Sequence, residues 1–200
     1  MTLATTPLSV WYLMRGSGLV ALILFSMTIG LGVVGVKRWQ SSRWSRLVTA
    51  GLHRNVALLA LCFLAIHVVT AVVDQFVGLG WLGVIVPFKS AYRPLWVGLG
   101  VVAFDIVLAV MATSLLRRHV RFRTWRLVHW GTWVMWPVAL VHALGAGTDR
   151  VSFGLFVSLG CVALVGAAAV WRLIPDRAVP DSTTPPRRPA RPLATARSSS

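Results

Sequence analysis

Glutamate is absent, aspartate occurs five times, and charged residues of all kinds make up 12% of the 200 residues, against 56% hydrophobic. With a mean hydropathy of +0.74, so little charge excludes a soluble domain, whose surface must be largely polar. Cysteine is scarce too. Cys62 and Cys161 both lie within apolar runs, so neither a disulfide framework nor a CxxC motif exists. The 20 Lys and Arg give a formal net charge of +15, but no polar domain carries a basic stripe with interleaved aromatics, which excludes nucleic acid as a partner. The basic residues sit instead in short clusters between apolar stretches, the pattern of loops kept on the cytoplasmic side of a membrane.

Crossing a hydrocarbon core of ~30 Å takes about 20 apolar residues. Five stretches approach that length, near Leu13 to Val36, Gly51 to Val73, Leu95 to Leu116, Leu127 to Ala146 and Val151 to Leu173. The expected fold is an all-α integral membrane protein of about five transmembrane helices. The first stretch lacks a preceding positive region and is followed by Lys37 and Arg38, so it reads as a retained anchor. Residues 1–174 are expected to form one membrane domain. From Pro175 onward Pro, Arg, Ser and Thr dominate, which predicts a disordered tail over 175–200 whose Arg187, Arg188, Arg191 and Arg197 face solvent or anionic membrane lipids.

Basic residues in the short loops give the orientation. Lys37, Arg38, Arg43 and Arg46 follow the first stretch; Arg117, Arg118, Arg121, Arg123 and Arg126 follow the third; Arg172 and Arg177 follow the fifth. These share one side, read as the cytoplasm of a bacterial cell membrane. The other side carries the weaker, mixed set Arg15, Asp74, Lys89, Arg93, Asp149 and Arg150, so the N-terminus is expected outside and the C-terminus inside. Asp74 to Pro94 is too short and too polar to cross, yet Phe76, Val77, Trp81, Leu82, Val84, Ile85 and Phe88 fit a lid at the outer interface.

Four of the five histidines fall in two of the stretches: His53 and His67 in the second, His129 and His142 in the fourth. At a rise of ~1.5 Å per residue, each helix carries two imidazoles roughly 20 Å apart, one near each membrane face. Both helices run in the same direction, so His53 meets the level of His129, and His67 that of His142. Two opposed neutral imidazoles in an apolar bundle are what a flat tetrapyrrole needs as axial ligands, and closing both positions favours electron transfer over oxygen binding. Other metals are disfavoured, because each level offers two His without a neighbouring Cys, Asp or Glu. His119, in the basic loop, reads as a solvated or headgroup residue.

Helical phase separates the two pairs. An interval of fourteen residues leaves His53 and His67 about 40° out of register, whereas thirteen leaves His129 and His142 about 140° apart on an ideal helix. Pro137 lies between the latter two, and a proline kink with local tightening is the expected remedy.

At these residues the chain resembles the ferric reductase-like transmembrane domain family, which includes ferric-chelate reductases, NADPH oxidases and the haem subunit of the bacterial methionine sulfoxide reductase system. The H-x13-H of His53 and His67 and the H-x12-H of His129 and His142 carry the resemblance across approximately Trp11 to Asp149. Supporting words are Trp11-Tyr-Leu-Met-Arg-Gly-Ser-Gly-Leu-Val, Gly51-Leu-His-Arg-Asn, Tyr92-Arg-Pro-Leu-Trp and Trp125-Arg-Leu-Val-His-Trp. The resemblance implies two b haems, the cytoplasmic one on His53 and His129 and the outer one on His67 and His142. Oxidases and eukaryotic reductases of that family carry flavin and nicotinamide domains, whereas here only the tail follows Leu173, and it holds no GxGxxG fingerprint. Electrons are therefore expected from a separate cytoplasmic flavin reductase or a quinol, and they leave to an extracytoplasmic acceptor.

Propionates need cationic partners, for which Arg15, Lys89 and Arg93 are the outer candidates and Arg54 and Arg126 the inner ones. Interfacial snorkelling explains the same residues. Asp105, mid-way along the third stretch, is either a proton or hydrogen-bonding site or a protonated structural residue. Gly16, Gly18, Gly30, Gly32 and Gly35 allow close approach of a helix or a macrocycle, or serve ordinary membrane packing. Two other functions remain open: a quinol-linked dihaem cytochrome, and a non-haem membrane scaffold or small transporter with His and Asp105 along a polar path.

Overall fold

The computed structural model describes residues 8–37, 45–74, 79–147 and 153–175. Seven helices follow in order: α1 (Leu8–Val36), α2 (Arg46–Val73), α3 (Gly80–Ile85), α4 (Pro94–Leu115), α5 (Phe122–Trp130), α6 (Thr132–Ala146) and α7 (Phe153–Leu173). Among the described residues five spans are long and apolar enough to cross a bilayer, with α5 and α6 forming one of them over Phe122–Ala146. The protein is an integral membrane protein. Large apolar side chains such as Leu47, Leu127, Phe156 and Val170 stand exposed on its outside, where lipid is the solvent. Arg38, Arg43, Phe76, Val77, Asp149, Arg150, Arg177 and the tail arginines lie outside the described residues.

Local chemistry sets the helix starts. Ser45 caps α2, its hydroxyl oxygen accepting from the Val48 N–H at 3.4 Å. Pro94 opens α4, where its missing N–H costs nothing, after Arg93 turns the chain through a left-handed φ of 41°. The lid expected between the second and third spans contains the short helix α3, with Trp81, Leu82 and Ile85 exposed. It is pinned to the bundle by Phe88, whose ring fills the space over Gly98 of α4.

Helix α1 is the hub, packing against α2, α6 and α7, while α4 lies along α6. Between them Leu22, Ile29, Trp136, Cys161 and Val165 form one buried cluster, and Ala103, Val107 and Met135 another. Mid-membrane, the Trp136 indole N–H donates to the fully buried Ser26 hydroxyl at 2.8 Å, tying α6 to α1. At one end of the bundle Lys37 donates to the Ile174 carbonyl and the Arg172 guanidinium lies 4.8 Å from the Trp130 ring centre.

The fourth span departs from the sequence expectation. It is interrupted at Gly131, whereas Pro137 stays inside α6. The Gly131 N–H donates to Val128 O at 2.9 Å and Gly131 O accepts from the Val134 N–H at 3.0 Å, both three-residue turns tighter than the α-helix. The Thr132 hydroxyl takes up the His129 carbonyl at 2.9 Å. Glycine is required by space: a Cβ there would stand 2.8 Å from Val128 O and 3.3 Å from Ile106 Cγ2 of α4. This tightening lies two residues after His129, on the stretch that separates it from His142.

Candidate functional site

The two histidine-bearing spans do not pack backbone to backbone. Among the described residues no Cα of α2 comes within 8 Å of one in α5 or α6, and Leu61 and Leu64 of α2 reach the buried cluster of Ala103, Val107 and Met135 by their side chains. Across this gap the imidazoles meet in two pairs. The His53 and His129 ring centres lie 6.4 Å apart at 55°, and those of His67 and His142 lie 6.2 Å apart at 75°.

Those separations test what each pair can hold. A metal bound between two imidazole nitrogens at ~2.0 Å each, with each nitrogen ~1.1 Å from its ring centre, sets the centres roughly 6.3 Å apart. Rings in direct contact would be closer, and rings joined by an N–H···N bond of ~2.9 Å would have centres only about 5 Å apart. The His67 Nδ1–H donates to Met14 O at 2.8 Å, that of His53 to Thr28 O at 3.0 Å, and that of His142 to Trp96 O at 2.7 Å. A carbonyl can only accept, so it fixes the proton on Nδ1 and leaves the Nε2 lone pair for a ligand bond, as around most metal-bound histidines.

The three seats share one construction. Four residues after each accepting carbonyl stands a glycine whose missing side chain admits the ring: Met14 with Gly18, Thr28 with Gly32, Trp96 with Gly100. A Cβ would lie 2.8 Å from His67 Nδ1 at Gly18, 2.6 Å from His142 at Gly100 and 3.5 Å from His53 at Gly32. On α1 the two seats are fourteen residues apart, as are His53 and His67 on the antiparallel α2. Gly16 and Gly30 face open space. Of these seat residues, the α1 glycines were visible in the sequence only as generic small residues. Gly100 and the three carbonyls went unnoticed, although the matched interval was a readable signal.

His129 is seated differently. Its Nδ1 is buried without a hydrogen-bond partner among the described residues, and the Trp125 indole stacks on it at 5.0 Å and 21°.

A cavity of about 730 Å³ surrounds the pair of His67 and His142, lined among others by Gly18, Gly100, Trp136 and Arg15. That size is ordinary for a cofactor pocket. Of the cationic residues considered from sequence, Arg15 lines it, with its guanidinium also 4.9 Å from the Trp11 ring centre. Arg93 instead donates to Gly145 O at 2.8 Å, and its neighbour Trp96 lays its ring over that same glycine. Lys89 and Arg54 are exposed, and Arg126 is exposed over the Phe122 ring at 5.6 Å. Asp105 is half-buried on α4 and does not line the cavity. Among the described residues no three His, Cys, Asp or Glu side chains gather around one point, and both cysteines are free thiols. The donor set therefore suits a group that brings its own equatorial ligands, as a tetrapyrrole does.

Residues 17–140, which include all four paired histidines but the last, match the family described as ferric reductase like transmembrane component. No curated protein and no solved structure matches the chain.

Proposed function

This chain belongs to the ferric reductase like transmembrane component family, typically a haem-containing electron-transfer membrane domain, and from that membership and the paired imidazoles we propose a dihaem b-type electron-transfer subunit. The observation that carries the reading is the pair of ring separations, 6.4 and 6.2 Å, with Nδ1 already engaged on three of the four rings. His53 with His129 would hold one b haem, and His67 with His142 the other. Iron porphyrin in these seats supplies one-electron cycling between ferric and ferrous states.

The remaining work belongs to the chain's own residues. Carbonyls of Met14, Thr28 and Trp96 fix the Nδ1 proton of three rings, which leaves Nε2 as the atom that would bind a metal. Two imidazoles at each level would both bind the iron of a haem held there, which would favour electron transfer over binding of small ligands. Between the levels Phe25, Val107, Met135 and Trp136 form an apolar lining, which disfavours ions there. Arg15 supplies a positive charge at the outer cavity, suited to a propionate.

The Arg-rich end is read as cytoplasmic, which makes a flavin reductase or quinol the donor there and a redox acceptor the partner on the opposite face. Residues 1–174 constitute this domain in the proposal. A reduced-minus-oxidised spectrum of the detergent-purified protein tests it. The expected result is a b-type band at two haems per chain, with one haem lost from the H67A/H142A variant. No b-type band, or unchanged haem content in that variant, sinks the proposal.

A further inference from the structure

The fourth histidine breaks a rule that the other three obey. By the fourteen-residue interval that relates the two seats on α1, the seat after Trp96 and Gly100 on α4 falls at Val110 and Ser114. Serine stands in the glycine's place, and no carbonyl takes the His129 Nδ1, which is buried without a hydrogen-bond partner among the described residues. A ring lacking that bond is free to turn about its side-chain torsions unless something else fixes its plane.

The indole of Trp125, one turn earlier on α5, lies nearly parallel to the imidazole at 5.0 Å. Trp125 is itself held from three sides. Its Nε1–H donates to the Ser114 hydroxyl at 3.4 Å, the Arg117 guanidinium sits 4.4 Å from its ring centre, and Phe122 stacks on it at 5.8 Å and 29°. The serine that replaces the seat glycine therefore anchors the indole.

We propose that Trp125 is the positioning residue of the inner histidine pair, its stacked face fixing the plane of His129 that a backbone carbonyl fixes for His53, His67 and His142. The inference rests on the haem-binding function proposed above and adds an asymmetry to it. His129 is the one axial donor held by stacking alone, so its ligand bond is the first to yield when the stack is removed.

The test compares wild type, W125A, W125F and S114A as haem-loaded protein in detergent. Carbon monoxide binding to the dithionite-reduced protein reports a lost axial ligand, and electron paramagnetic resonance of the oxidised protein resolves the low-spin signals of the two haems. Wild type is expected to bind no carbon monoxide. W125A should bind it at about half of its haem and lose or shift one low-spin signal while the other stays unchanged, which also shows that the bundle is folded. W125F, which keeps a stacking face, should behave as wild type, and S114A should show the W125A defect at smaller amplitude. A W125A protein with both signals intact and no carbon monoxide binding overturns the inference while leaving two-haem binding standing. Equal loss of both haems overturns it as well, since the indole would then serve the whole fold. Wild-type protein without any b-type spectrum defeats both proposals together.

Discussion

Gly18 and His67 face each other so closely that a methyl group on the glycine would lie 2.8 Å from the imidazole Nδ1. The same contact is 2.6 Å for Gly100 with His142 and relaxes to an ordinary 3.5 Å for Gly32 with His53. Alanine substitutions should therefore act in that order: Gly100→Ala most severe, Gly18→Ala next, Gly32→Ala mild. Haem content and low-spin signals of the purified variants measure it, and the outer haem should be lost first. Gly16→Ala and Gly30→Ala, whose added methyl meets nothing within 4 Å, are the controls and should keep full haem content. A flat response across the series would refute the seat geometry.

The tight turn at Gly131 and the proline at Pro137 both lie between His129 and His142, and substitutions at the two positions should not be equivalent. Gly131→Val places carbon against Val128 O and Ile106 and should disturb the inner haem signal. Pro137→Ala restores a backbone donor inside α6 and should leave both signals in place. The reverse ranking would return the decisive bend to the proline.

Ser26 and Trp136 make a buried hydrogen bond between α1 and α6. Ser26→Ala orphans the indole N–H and should lower stability by about 0.5–2 kcal/mol, within the range for such bonds in membranes. Trp136→Phe on that background removes the orphan donor, so the double variant should lose less than the two single losses combined. Thermal unfolding in detergent, monitored at constant haem content, provides the comparison.

Arg15 lines the outer cavity, whereas Lys89, Arg54 and Arg126 stand exposed away from it. Removing a cation beside a redox centre disfavours the reduced form, which carries one positive charge fewer. Arg15→Gln should lower the potential of the outer haem, and Lys89→Gln should leave it unchanged. Spectroscopic redox titration of the two variants decides the point; equal shifts would assign Arg15 to the interface alone.

The membrane class, the five spans and the two levels of histidine were legible in the chain because they depend on quantities that run along it. Apolar length against bilayer thickness gives the spans, and rise per residue times an interval gives depth. The pairing of His53 with His129 and of His67 with His142 follows from depth alone, and those are the rings that stand opposite each other, with centres 6.4 and 6.2 Å apart. What lies across the chain was not legible. The phase defect between His129 and His142 is visible in sequence, but the break in the span at Gly131 is not, because the close approach of Ile106 and Val128 O is a property of packed neighbours. Neither the carbonyls that take three Nδ1 protons nor the missing fourth could be read, since a backbone carbonyl carries no residue identity. Sequence by itself determined that four imidazoles stand at two depths in an apolar bundle. Only the tertiary structure decided that three are fixed by a carbonyl and a glycine four residues apart, and that the fourth rests on Trp125. Those contacts come from helices remote in sequence or from the plane of a ring, and neither is encoded in spacing.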